Sequence, residues 1–219
     1  MLVHGFTGDI TDWRFQVEEF APTHRVLILD NRGHGRSSAP LAESAYSVEQ
    51  MASDLDGLVR HVGFERFHLV GHSMGGAIAQ EIALRLPERL LSLTLEDTSF
   101  CFSHHQPRMP DRLPPLPQAR LEEVWARLGR MPQEVLRANW KALLTWPGSE
   151  GRAAQIRTPT LIIYGDDDAP AIVEGSIRLA ELLPHSELHR LEGVAHSPQE
   201  ECPQRYNVLL RAFVERHQA

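Results

Sequence analysis

A layered α/β fold, a mostly parallel sheet with helices on both faces, is the class this sequence predicts. Three observations predict it. Short apolar runs recur along the chain (Arg25–Asp30, Phe67–Val70, Leu90–Leu95, Pro159–Gly165), most closed by turn residues, as expected of strands buried on both faces. Segments with helical apolar spacing stand between them, such as Val48–His61 with Met51, Leu55, Leu58 and Val59. In residues 66–85 a strand turns abruptly into a helix through Gly71-His72-Ser73-Met74-Gly75. Sheets of this kind carry their sites at the carboxyl ends of the strands. Gly5, Asp30, Gly71, Asp97 and Gly165 lie at or just past such ends, so a single rim is where functional side chains converge.

The composition narrows the function. With 219 residues, 42% of them hydrophobic and 23% charged, the chain is long enough to bury a full core as one globular unit, with room for an inserted lobe. A net charge of −7 without a Lys/Arg cluster argues against a nucleic-acid surface. The apolar runs are too short to span a membrane. Cys101 and Cys202 lie far apart without metal-like spacing and read as unpaired thiols of a reduced, cytoplasmic protein. Met1-Leu-Val-His-Gly enters a strand at once and lacks the pattern of a leader peptide.

Taken in order, Leu2-Val3-His4 is a short strand that breaks at Gly5. Thr11 or Asp12 is then placed to cap a helix carrying Trp13, Val17 and Phe20. The buried run Arg25–Asp30 is followed by a turn-rich loop, Asn31 to Ser38. The helix at Val48–His61, the elbow strand and its helix (Ile78, Ile82, Leu86), and the strand Leu90–Leu95 come next. The rhythm stops at 99–155. Prolines crowd Pro107 to Pro117, which excludes regular helix or central strand, and two helical stretches follow at Gln118–Leu128 and Gln133–Leu144. This segment reads as an insertion over the rim, dividing the core into residues 1–98 and 156–219. The strand Pro159–Gly165, a helix with Ile177, Leu179, Leu182 and Leu183, a short strand Glu187–Leu191 and a last helix from Pro203 to about His217 complete the chain.

Gly-x-Ser-x-Gly between a strand and a helix is the pattern of a nucleophile elbow. So sharp a turn forces its apex residue toward positive φ, and the flanking positions must lack side chains for strand and helix to approach. The helix that follows aims amide N–H groups at the same place. On its own the pentapeptide also fits an ordinary glycine-rich loop without chemistry. A serine hydroxyl needs a base, and the base needs a third group to fix its tautomer. Among the histidines, His34 lies in a loop, His104 and His105 in the insertion, and His61 and His217 near helix ends. His196 lies between the last strand and the last helix, on the expected rim, with the acid-rich Asp166-Asp167-Asp168 upstream.

The order Ser73, Asp, His196 is that of α/β-hydrolases. With His4-Gly5-Phe6, Asp30-x-Arg32-Gly33-x-Gly35-x-Ser37, Gly165-x-x-Asp168 and Gly193-x-Ala195-His196, the chain resembles that superfamily along nearly its whole length. The resemblance implies Ser73 as nucleophile, His196 as general base and then acid, and Asp168 as the orienting acid. Asp97 is the rival, since some relatives carry the acid after the preceding strand. It further implies an oxyanion hole from the backbone N–H groups of Phe6 and Met74, a cap at 99–155, and a pocket for which His72, Phe100, Phe102, Trp125 and Trp140 are the candidates. Family members normally carry about two further strands before the His-Gly loop. Their loss, by truncation or in a natural minimal version, would leave Arg25–Asp30 near an exposed sheet edge able to pair with a second copy. A serine at the elbow points to hydrolysis of a small-molecule ester, lactone or related acyl bond. A C–C hydrolase, a lyase, a cofactor-free oxygenase or a ligand-binding protein with little turnover are the alternatives. No residue pattern suggests a metal, nucleotide or flavin cofactor, His104-His105 with Asp111 being metal-like in composition alone.

Overall fold

The computed structural model of the chain describes residues 1–103, 122, 126, 129 and 131–218. Its strands are β1 (Leu2–Val3), β2 (Ile28–Leu29), β3 (Phe67–His72), β4 (Leu90–Glu96), β5 (Thr160–Gly165) and β6 (Ser186–Leu191). They form one sheet in the order β2-β1-β3-β4-β5-β6, with every neighbouring pair parallel. The path leaves β1 for the β2 edge, then returns past β1 to β3 and continues outward to β6. The winding therefore reverses once, between β1 and β3, which is the place where sheets of this kind open a crevice at the carboxyl ends of their strands.

The helices among the described residues are α1 (Arg14–Phe20), α2 (Val48–His61), α3 (Met74–Arg85), α4 (Gln133–Thr145), α5 (Pro170–Leu182), the one-turn α6 (Pro198–Glu201) and α7 (Pro203–Arg216). One face of the sheet is covered by α1 and α7, with Trp13, Phe20, Tyr206, Leu210 and Phe213 on Leu161 and Ile163. The other face takes α2, α3 and α5, with Met51, Leu55, Ile78, Ile82 and Leu179 in one core with Leu69, Leu93 and Ile162, while α4 packs by Val135 and Asn139 on the loop at Gly33 and Tyr46. The spacing of α2 explains its packing. Val48, Met51, Ala52, Leu55 and Val59 recur at three and four residues and are buried, and burial of a side chain such as Leu55 is worth about 1.5–3 kcal/mol. Ser47 starts this helix by accepting the Gln50 N–H at 3.0 Å, a cap worth about 1 kcal/mol. α3 is buried almost all round because it runs through the middle of its layer, from Met74 to Ala83.

Three local expectations are corrected. The run Arg25–Asp30 makes only a two-residue strand, half-buried, because among the described residues β2 is a sheet edge that pairs only with the two-residue β1. The first helical turn is capped by Asp9, whose carboxylate accepts the Thr11 N–H at 2.8 Å, while Asp12 lies inside the turn and is buried. Phe102 is a core residue against Trp146, their rings 6.3 Å apart, and not a pocket wall. The second helical stretch of the insertion is α4, while the proline tract Pro107–Pro117, most of Gln118–Leu128, the pair His104-His105, Asp111 and Trp125 fall outside the described residues.

Candidate active site

Ser73 sits on the turn from β3 into α3 with φ 51° and ψ −115°, a left-handed conformation for a residue with a side chain. The surroundings hold it there. Its N–H donates to Glu96 O at 2.9 Å, and Thr98 Oγ1 donates to its carbonyl at 2.7 Å. Close approach explains both motif glycines. A Cβ at Gly71 would lie 2.4 Å from Gly75 O, and one at Gly75 would lie 2.2 Å from Val3 O. Of the first N–H groups of α3, those of Gly76 and Ala77 fold back onto Ser73 O. The Met74 N–H, at the helix start, has no helical acceptor and lies at the foot of the serine.

Ser73 Oγ lies 3.0 Å from His196 Nε2, and His196 Nδ1 lies 2.7 Å from Asp168 Oδ2. These three side chains come from the ends of β3, β6 and β5. The Asp168 side chain is 3% exposed and that of His196 26%, so the carboxylate is enclosed and the imidazole is partly open to solvent. Asp168 Oδ1 also accepts the Ala169 N–H, which fixes the carboxylate plane. Burial alone disfavours the His196 cation. The charge and hydrogen bond of Asp168, with Glu201 nearby, outweigh burial and leave the imidazole titrating above its ordinary value.

Asp97 also reaches this rim but faces elsewhere. Its carboxylate accepts the Gly165 N–H at 2.9 Å, its backbone is left-handed at φ 39°, and burial, with Asp168 and Glu96 nearby, pushes its pKa well up. The neighbouring Asp166 is a turn residue, accepting the Gly193 N–H at 2.7 Å and pairing with Arg190. Asp167 is exposed.

The loop that carries His196 is held on three sides. Glu201, from α6, accepts the Ala195 and Ser197 N–H groups at 2.9 and 2.8 Å, one on each side of the histidine. His72 Nε2 lies 2.6 Å from His196 O. His72, expected in the pocket, is thus buried behind the base.

Two buried histidines hold the loop after β1. His4 Nε2 accepts the Asn31 N–H at 2.9 Å, and its Nδ1–H donates to Gly5 O at 2.8 Å. His34 Nε2 accepts the Thr7 N–H at 3.3 Å, and its Nδ1–H donates to Arg32 O at 3.1 Å. Each acceptor role requires a neutral ring, and burial enforces it, lowering the His4 pKa and taking that of His34 to about 3. Thr7 is held at φ 66°, and Phe6, just before it, has its ring 6.3 Å from that of His34. Trp140 of α4 lies over Phe6 at a ring separation of 5.3 Å, and Phe100 packs partly buried beside the core. Among the described residues no group of three or more His, Cys, Asp or Glu side chains is arranged to hold a metal ion. No helix among them is long and apolar enough to cross a membrane.

Sequence reasoning gave no role to Glu201, Glu96 or His34. The only signal was for His34, which stands inside Asn31-Arg32-Gly33-His34-Gly35, a motif quoted without assigning that residue.

Known proteins share this fold. RutD of Azorhizobium caulinodans, a candidate carbamate hydrolase, is 30% identical over 97% of this chain and 89% of its own. A thermophilic esterase from Thermogutta terrifontis superposes with a TM-score of 0.84 at 27% identity, covering 99% of this chain and 89% of its own. Est816, an N-acyl homoserine lactone degrading enzyme, superposes with a TM-score of 0.87 at 26% identity, covering 97% and 91%. The family described as alpha/beta hydrolase fold matches residues 1–139, more than half of the chain, and the protein belongs to that family of hydrolases.

Proposed function

We propose that the protein hydrolyses a small carboxylic ester, lactone or related acyl bond through an acyl-enzyme on Ser73. The observation that carries this reading is the continuous chain of contacts from Ser73 Oγ to His196 Nε2 at 3.0 Å and from His196 Nδ1 to Asp168 at 2.7 Å. His196 takes the Ser73 proton as Oγ attacks the substrate carbonyl, and Asp168 holds the Nδ1–H tautomer and stabilises the imidazolium. The oxyanion is received by the N–H groups of Phe6 and Met74, each worth about 3 kcal/mol in the transition state. His196 then protonates the leaving group, and a water activated by the same nitrogen releases the acid.

Residues 99–155 act as a cap on this crevice, between core segments 1–98 and 156–219. The contact of Trp140 with Phe6 supports that role. The free thiols Cys101 and Cys202 support work in the cytoplasm. The short half-buried β2 leaves a sheet edge through which two copies could pair.

The test is hydrolysis of p-nitrophenyl acetate, butyrate and octanoate by wild type and Ser73→Ala. The likeness to RutD and Est816 adds an aryl carbamate and an N-acyl homoserine lactone to the panel. The variant is expected to lose turnover by on the order of 10⁴-fold or more. Equal rates in the two proteins would refute the mechanism, and the chain-length profile would size the pocket.

A further inference from the structure

Three backbone groups surround the His196 side chain in its loop, and two of them are held by one carboxylate. The Ala195 and Ser197 N–H groups donate to Glu201. The third, the His196 carbonyl, meets His72 Nε2 at 2.6 Å. A carbonyl oxygen can only accept, so His72 carries its proton on Nε2. Its Nδ1 is buried with no hydrogen-bond partner among the described residues, and a Cβ at Gly5 would come within 2.9 Å of it. The ring is neutral. Burial and the neighbouring His196 take its pKa to about 3, against the pull of Asp12 and Asp168. It is 6% exposed, so a substrate in the crevice has little of it to touch.

We propose that His72 is a positioning residue, whose Nε2–H clamps the His196 carbonyl to the end of β3 and so sets where His196 Nε2 meets Ser73 Oγ. This rests on the reading of Ser73 and His196 given above. The reasoning is mechanical. His72 and Ser73 are consecutive, with Cα atoms about 3.8 Å apart, at the end of a strand paired on both sides. Nucleophile and clamp are therefore carried by one rigid peptide. Two short contacts, 3.0 Å at the imidazole and 2.6 Å at the carbonyl, tie the base back to it across 124 residues of chain. The two rings stand 5.0 Å apart at 55°, close enough to limit swinging of the His196 ring. A histidine that served packing alone would lower stability when replaced. A clamp lowers turnover, and a replacement that can still donate restores it.

The experiment compares His72→Leu, of similar bulk but without a donor, with His72→Gln, whose amide N–H reaches about as far. The readouts are kcat and KM on a p-nitrophenyl ester that wild type turns over, with Tm for each protein and Ser73→Ala alongside. His72→Leu is expected to lose on the order of 100-fold in kcat with KM within about three-fold, while His72→Gln stays within about five-fold of wild type. Should His72→Leu not fold, His72→Asn, polar but too short to reach the carbonyl, takes its place with the same expectation. A donor-free variant whose kcat stays within about three-fold of wild type would overturn the clamp, and so would a folded His72→Gln as impaired as that variant. Ser73→Ala separates the two failures. If it keeps activity, the nucleophile reading falls and the clamp with it. If it is inactive while the donor-free variant is not, the clamp alone falls.

Discussion

Replacing Glu96 with glutamine tests the electrostatics behind the site. Glu96 ends β4 with its side chain fully buried, one oxygen accepting the Gln199 N–H at 3.3 Å. Burial, only partly offset by Tyr206, Gln199 and His196, lifts its pKa from 4.5 to about 8. Between those limits the unfolded chain is ionised there and the folded protein is not, so folding takes up a proton. The contribution to stability is whole below about pH 4.5 and is lost as pH rises to about 8, at about 1.4 kcal/mol per pH unit. From pH 5 to pH 8 this sums to about 4 kcal/mol, an upper figure. Glutamine keeps the shape and cannot ionise, so Glu96→Gln removes the slope. At roughly 2–4 °C per kcal/mol for a chain of this size, its Tm should gain on wild type by on the order of 10 °C across that range. The assay is thermal unfolding of both proteins at pH 5, 6, 7 and 8, where titrations common to both cancel in the difference. A Tm difference constant to within about 2 °C would refute the buried, protonated carboxyl.

Two other perturbations follow from the site geometry. The acid limb of kcat/KM should have its midpoint above the ordinary imidazole value, because His196 must be neutral to act and its pKa is raised. Asp168→Asn should move that midpoint down and cut kcat by about 10³–10⁴-fold, and a limb unmoved in the variant would show that Asp168 does not set it. Gly75→Ala should fail to fold or lose more than about 3 kcal/mol, since the added Cβ meets the rigid backbone of Val3 and not a movable side chain. A soluble variant with Tm within about 2 °C of wild type would contradict that contact.

How much of this was legible in the sequence depended on how local each constraint was. Ser73 could be singled out because its turn needs glycines within two residues, and contacts under 3 Å explain those glycines. His196 and an acid after β5 followed from chain order and the strand rhythm. The family spacing, three residues past Gly165, favoured Asp168, but Asp97 also stands just past a strand end and stayed a rival. The difference between them is direction, Asp97 toward the Gly165 N–H and Asp168 toward His196. His72 was misplaced for a related reason, because its partner lies 124 residues away and nothing near it marks a donor. The alternation also misjudged Arg25–Asp30. The apolar run implied a strand buried on both faces, whereas at the sheet edge only Ile28 and Leu29 pair and both are half-buried.

His4 and His34, behind the loop after β1, and His72, behind His196, are buried neutral rings, all with pKa values lowered by burial. In mild acid an unfolded chain carries a proton on each, and the folded protein takes none at His34 and His72, whose pKa values fall to about 3. Folding below about pH 6.5 therefore releases protons, and refolding in weakly buffered solution should acidify it. The sign is opposite to that of Glu96: this contribution is present above about pH 6.5 and lost as pH falls. Acid would act first on the hydrogen bonds that hold the loop after β1, because a ring forced to protonate at His4 or His34 turns its acceptor nitrogen into a second donor facing an amide N–H. The buried supports of the site thus double as the part of the molecule that registers acidity.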